Sequence, residues 1–187
     1  RSEFQLGKRH IYGHVGNFVW SKNHLLMLHI FKEIQKQDSE AVLFFVGQGT
    51  MQKEIEEEIQ KLSLQDSVIL TGVRKDVPVL MSAFHMLLFP SVYEGLPLTL
   101  IEAQAAGLPC LISDSITKDV IVTEGLVKPF SLEKSPAEWA AQAVSMVREN
   151  NEFTRKCQRE RIARAGYDID ALAAWYENYF TQLAYQV

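Results

Sequence analysis

An α/β fold, with a parallel sheet covered by helices on both faces, is predicted by three features of the sequence. Short apolar runs of strand length alternate with segments of helical periodicity from His10 to about Ala106. The runs are continuously apolar rather than alternating, as in Ala41 to Val46, which marks strands buried on both faces. Gly and Pro punctuate the joins, for example Gly107 and Pro109 between a helix and the next strand.

The elements follow in order. Arg1 to Arg9 is polar and carries no pattern. His10 to Val15 reads as the first strand and runs into the loop Gly16-Asn17-Phe18. Ser21 is a candidate N-cap for a helix to about Gln37, with Leu25, Leu28, Ile30 and Phe31 turned inward. Ala41 to Val46 is the second strand, and Gly47-Gln48-Gly49-Thr50 a turn capping a charged helix, Met51 to Leu62. Ser67 to Leu70 is the third strand, Thr71 to Arg74 a loop, and Asp76 to Ala83 a short helix. His85 to Phe89 is the fourth strand, stopped by Pro90. Pro97 suits a first helical position, where its missing N–H is no loss, and the helix runs from Leu98 to Ala106. Cys110 to Ser113 is the fifth strand and Val120 to Thr123 a candidate sixth. From Ser135 the pattern is helical: Pro136 to Glu149, Asn151 to Ala165, and Asp168 or Asp170 to about Ala184. There are no internal repeats and no low-complexity linker.

Length and composition narrow the function. A chain of 187 residues favours one domain with a real core. With 47% hydrophobic and 22% charged residues it is an ordinary globular composition. A formal net charge of −4 gives no basic field for nucleic acid. The longest apolar stretch, Val77 to Val92, is broken by Ser82, His85 and two prolines, so no membrane span is expected. Cys110 and Cys157 have no metal spacing, and a reduced, cytoplasmic setting is expected. No signal peptide is expected ahead of the fold. The chain starts at Arg1 without Met, which suggests a fragment or excised domain.

Chemistry concentrates between Phe89 and Asp114. A loop that leaves a strand and opens a helix puts free N–H groups and a positive dipole end at the sheet's carboxyl edge, where phosphates and sugar hydroxyls bind. Glu94 lies in that loop. Glu102 lies eight residues on, inside the helix, at the edge of its inward face. A carboxylate there must find donors or stay wet. By themselves the two fit an ordinary loop Glu and a solvated helix Glu equally well.

The whole string does more. Tyr93-Glu94-Gly95-Leu96-Pro97, then Ile101-Glu102-Ala103, then Ala106-Gly107-Leu108-Pro109 resembles the Glu-x7-Glu signature of retaining GT-B glycosyltransferases, most nearly the family-4 enzymes of bacterial capsular and exopolysaccharide synthesis. The resemblance runs from about His10 to the C-terminus and covers the donor-binding half of such two-domain enzymes. It implies a nucleotide-sugar donor, UDP-linked in this reading, and a glycan or lipid-linked acceptor met through an N-terminal domain outside this chain. It allows peripheral membrane contact of the full-length protein. By resemblance Glu102 receives the ribose hydroxyls, Glu94 contacts the sugar ring, and the backbone from Gly95 through Leu96 to Leu98 lies against sugar and phosphate. Relatives bind the diphosphate at the first loop with Gly-Arg and a later Lys. Here Gly16 is present, Asn17 stands where the Arg is expected, and Lys22 supplies the Lys to offset the leaving diphosphate's charge. Val73-Arg74-Lys75-Asp76 resembles the loop beside the base, where Arg74 either stacks on the base or covers the surface. No cofactor and no metal are expected. Rival readings are a GT-B sugar-nucleotide epimerase and a binding module without turnover, the latter favoured by Asn17.

Other motifs read structurally. Gly13-x-x-Gly16 lacks the full dinucleotide spacing. Gly47-Gln48-Gly49 resembles a Gly-Asp-Gly turn, but capping the next helix suffices to explain it. Asp168-Ile169-Asp170 reads as a helix cap, and His14, beside the first loop, as structural. Leu172, Trp175, Tyr176, Tyr179, Phe180 and Leu183 form a stripe on the terminal helix, about 168 to 184. The resemblance has that helix cross to the N-terminal domain.

Overall fold

Six parallel strands form the sheet, in the order β3-β2-β1-β4-β5-β6. The computed structural model describes residues 1–149 and 156–184. The strands are β1 (Ile11–Val15), β2 (Val42–Val46), β3 (Val68–Gly72), β4 (Met86–Phe89), β5 (Cys110–Ser113) and β6 (Val127–Phe130). Between them run α1 (His24–Gln35), α2 (Gln52–Lys61), α3 (Val77–Ala83) and α4 (Leu98–Ala105). After β6 come α5 (Pro136–Glu149), α6 (Arg159–Ile162) and α7 (Ile169–Ala184).

Strand alternation divides the core in two. Tyr12, Leu43, Phe45, Met86, Leu88 and Leu111 point to the face covered by α1, α2 and α5. Ile11, Val42, Phe44, Leu87, Phe89, Cys110 and Ile112 point to the face covered by α3, α4 and α6. All five residues of β2 are buried, so a helix lies above and below it, as its unbroken apolar run predicts. Truncating Phe44 or Phe45 to Ala removes a fully packed ring and costs about 3–5 kcal/mol. The fold is therefore a Rossmann-like sheet with helices on both faces.

The structure corrects several sequence-based expectations. The sixth strand is Val127–Phe130, not Val120 to Thr123. The reason is Gln104, buried in α4. Its amide donates to the carbonyls of Leu100 and Val120 and accepts from the N–H groups of Val122 and Thr123, so that segment's backbone is spent on a side chain. Pro129 is tolerated in β6 because that strand is an edge. Ser21 does not cap α1. It lies in a 3₁₀ turn, Trp20–Lys22, and Asn23 precedes the helix in the left-handed region, at φ 59°. An Asn adopts that conformation more readily than most residues. Pro97 stands one residue ahead of α4 instead of inside it. In the expected helix from Asn151 to Ala165, residues 151–155 lie outside the described residues. Past them a single turn at α6 passes into a wider turn, Ala163–Tyr167, broken at Gly166 with φ 92°. Asp168 caps α7 as expected, its Oδ1 accepting from the N–H groups of Asp170 and Ala171, each at 3.0 Å. α7 buries no residue and carries its aromatic stripe exposed.

Candidate functional site

The strand order reverses direction between β1 and β4, and the chain leaves these two neighbours toward opposite sides of the sheet. Their carboxyl ends are the position at which sheets of this order form a crevice and bind ligands. The two loops read as functional in the sequence, Gly16 to Asn23 and Pro90 to Pro97, are the two that line it.

The first loop is held from below. Gly16 N–H donates to Val46 O at 3.0 Å, and Phe18 N–H donates to Gln48 O at 2.9 Å. Met51 N–H donates back to Phe18 O. This contact explains the Gly47-Gln48-Gly49 turn better than capping does. Gly47 has φ 140°, and a Cβ there would run into the Gly16 carbonyl, while a Cβ on Gly49 would strike the Phe18 backbone. Phe18 is buried as the loop's anchor, and Asn17 beside it is exposed.

Three contacts tie the loops together across the crevice. Asn23 Nδ2 donates to Pro90 O at 3.1 Å. Val92 N–H donates to Ser21 O at 2.7 Å. Lys22 Nζ donates to Glu94 Oε1 at 2.6 Å, with the two side chains only 16% and 11% exposed. Lys22 Nζ also lies 4.9 Å from the centre of the Phe89 ring. A Cβ on Gly16 would come to 3.2 Å from His14 Nε2 and 3.4 Å from Lys22 Cε. The structure thus joins Lys22 and Glu94, 72 residues apart in sequence, as one ion pair. Asn23 was missed as a site residue. The only sequence signal was an Asn standing directly ahead of a helix.

Gly95, Leu96 and Leu98 follow on the second loop and the start of α4, all exposed. A Cβ on Gly95 would meet nothing within 4 Å, and its backbone is not left-handed, so neither crowding nor strain inside the chain calls for glycine there. No side chain caps α4, so first-turn N–H groups face outward. Glu102 lies on α4 beside a groove of about 220 Å³ that it shares with Arg159, Tyr167 and Asp168. Its residue is exposed on the outer side, and loss of water on the groove side pushes its carboxyl above the usual carboxylate range. Arg74 pairs with Asp76 at 2.8 Å and Glu3 at 3.0 Å, with its guanidinium 5.9 Å from the Phe4 ring. Those acids hold it protonated and raise its pKa further.

Two histidines lie beneath the first loop. His14 Nδ1 bonds to Leu88 O at 3.0 Å, while its Nε2 and both nitrogens of His24 have no hydrogen-bond partner among the described residues. The rings meet edge-on at 4.8 Å between Phe18, Phe45 and Phe89. Burial, then the charge of Lys22, lowers the pKa of His24 to about 4; burial, then His24, holds His14 well below the usual value. Both are neutral packing groups at pH 7. Among the described residues no three His, Cys, Asp or Glu cluster as metal ligands would, and no helix is long and apolar enough to cross a membrane.

Known proteins resemble this chain in sequence and in fold. EpsF of Bacillus subtilis (strain 168), which carries a glycosyltransferase name, is 39% identical over 163 residues, covering 86% of this chain and 41% of EpsF. The UDP-Gal:alpha-D-GlcNAc-diphosphoundecaprenol alpha-1,3-galactosyltransferase of Escherichia coli is 32% identical over 103 residues, 54% of this chain and 27% of that protein. The fold superposes on Anabaena HepE, solved in complex with UDP and glucose, with a TM-score of 0.75 at 17% identity, over 97% of this chain and 50% of HepE. The chain therefore spans half or less of the length of these proteins. The family described as Glycosyl transferases group 1 matches residues 1–166. With its GT-B half-fold and most of its length inside that match, the chain belongs to the group 1 glycosyltransferases.

Proposed function

We propose that this chain is the donor-binding half of a retaining glycosyltransferase that takes its sugar from UDP and passes it to a glycan or lipid-linked acceptor in polysaccharide synthesis. The observation that carries this reading is the Lys22–Glu94 pair at the crevice where β1 and β4 diverge. It puts a cation and an anion side by side where a diphosphate and a sugar ring meet. Departure of the diphosphate places negative charge on its terminal oxygens. Lys22 and the uncapped amide end of α4 supply fixed positive charge against it, and the reaction then asks for no metal. Glu94 orients the sugar ring. Glu102, on α4, accepts the vicinal ribose hydroxyls, and Gly95 lets backbone approach the sugar with no side chain between. The names of the Escherichia coli relative and of the HepE complex support UDP as the nucleotide. The acceptor belongs to sequence outside this chain, so the chain by itself binds donor without transferring it.

Calorimetric titration with UDP, GDP and ADP tests the reading. UDP should bind tightest, and Glu102→Ala should weaken it by up to about 1.5–3 kcal/mol per lost charge-assisted bond. Equal affinity for the three nucleotides removes the uridine assignment. Unchanged UDP affinity in folded Glu102→Ala protein removes the ribose assignment.

A further inference from the structure

Outside α7, the exposed large apolar side chains among the described residues are Trp20, Val73, Val79, Tyr93, Leu96 and Leu98, and four of these six lie on the two crevice loops or the start of α4. Trp20 and Tyr93 are the most exposed of the four, at 68% and 70%. Neither sits on a loose segment. Trp20 opens the 3₁₀ turn that ends at Lys22, and its carbonyl accepts from Asn23 N–H at 3.1 Å. Tyr93 stands between Val92, whose N–H is bonded to Ser21 O, and Glu94, bonded to Lys22. The two aromatics therefore flank one backbone hydrogen bond and one ion pair, each held by neighbours that bridge the crevice. Two water-exposed aromatics on tied backbone, beside paired charges, match the chemistry of a pyranose. Its C–H face is apolar and suits an aromatic ring, while its hydroxyls need charged or polar partners.

We propose that Trp20 and Tyr93 form an aromatic rim that packs against a pyranose ring at the mouth of the Lys22–Glu94 site. The proposal rests on the sugar-transfer reading for its ligand class. The ring belongs to the donor's sugar or to the acceptor saccharide, and the two sources are separable. Removing either aromatic should weaken the sugar while leaving the nucleotide alone, because neither residue carries a charge for the diphosphate.

The test uses this chain with Trp175→Phe, which leaves Trp20 and the buried Trp139 as the only indoles. Emission and affinity are followed with UDP, UDP-glucose and UDP-galactose, and with the methyl α-glycosides of glucose, galactose and N-acetylglucosamine. Trp20→Ala and Tyr93→Ala are compared with Trp20→Phe, and circular dichroism checks that each variant folds. The expected result is a blue shift of Trp20 emission on adding sugar and a roughly fivefold loss of sugar affinity in each Ala variant. Trp20→Phe should lose less, and UDP affinity should stay within about twofold. Loss confined to UDP-sugars assigns the rim to the donor; loss confined to free glycosides assigns it to the acceptor. An unshifted emission with sugar affinities unchanged in both Ala variants overturns the rim and leaves the aromatics to a protein partner. Equal losses for UDP and UDP-sugars also overturn it, by placing the rings on the nucleotide. A wild-type chain that ignores UDP removes the donor reading, and the glycoside arm then judges the rim alone.

Discussion

Glu94→Gln should tighten UDP, even though the proposed function has Glu94 serve the transfer reaction. In the free protein the Lys22 ammonium already has a partner at 2.6 Å, and both side chains are nearly closed off from water. An incoming diphosphate must compete for that lysine with a carboxylate that also repels it. Two unit charges about 4 Å apart interact by ~4 kcal/mol at an effective dielectric of ~20, which bounds the competition from above. Desolvation and the residual Lys–Gln hydrogen bond leave a net gain of ~1–2 kcal/mol, or about 5- to 30-fold in affinity. Calorimetry on four proteins reads it: the wild type, Glu94→Gln, Lys22→Met and the double variant. Lys22→Met should bind UDP worse and should also lower the urea midpoint, because it strands a carboxylate that is only 11% exposed. Glu94→Gln should gain much less in the Lys22→Met background, where only its repulsion of the diphosphate remains. With the acceptor half restored, Glu94→Gln should lower kcat despite its tighter UDP. Equal or weaker UDP binding by Glu94→Gln would refute the reasoning, and so would an equal gain with and without Lys22.

Asn17 stands exposed on the first loop, at the position where the resemblance drawn from the sequence leads to an expected Arg. Asn17→Arg should tighten UDP roughly tenfold, a gain of ~1.4 kcal/mol, and UMP less, with the gain shrinking as salt rises; calorimetry at two ionic strengths reads this, and equal gains for UDP and UMP would place residue 17 away from the phosphates. The buried histidines make the fold acid-sensitive. His24 titrates at about 4 in the folded chain against 6.5 when solvated, so the unfolded chain takes up the proton first. Stability from its neutral burial is fully present above 6.5 and is lost as pH falls toward about 4. The loss is about 3 kcal/mol, so urea midpoints at pH 7 and pH 4.5 should differ less in His24→Leu than in the wild type.

Much of the fold is legible because its strands are buried on both sides. Continuous apolar runs such as Val42 to Val46 allow one reading, and the β–α alternation sets the sheet's class. The sixth strand fails for a reason local pattern does not carry. Val120 to Thr123 is as strand-like as Val127 to Phe130, and the difference is a Gln104 side chain that takes the first segment's hydrogen bonds. Lys22, Glu94 and Glu102 are picked out as candidates by motif, yet the motif says nothing of Lys22 meeting Glu94. Their pairing depends on β1 and β4 being neighbours, a fact of strand order. Ser21 misleads because a good capping residue falls in a 3₁₀ turn two positions before the helix boundary. The boundary residue, Asn23, makes no side-chain cap and instead donates to Pro90 O across the crevice.

The Gly47-Gln48-Gly49 turn links the fold to the chemistry. It lies on β2's exit, away from the motif, and its glycines admit the Gly16 carbonyl and the Phe18 backbone at distances no side chain would allow. That contact fixes the loop carrying Lys22 before any ligand arrives. A lysine on a free loop would lose backbone and rotamer entropy on meeting a phosphate, and that loss would subtract from binding. Here the sheet has already restricted it: Val46 and Gln48 hold the loop's first half, and Pro90 and Glu94 hold its second. On the proposed reading the β2 turn acts on the diphosphate through loop position alone, and a Cβ on Gly47 or Gly49 would displace Lys22 without touching the ligand.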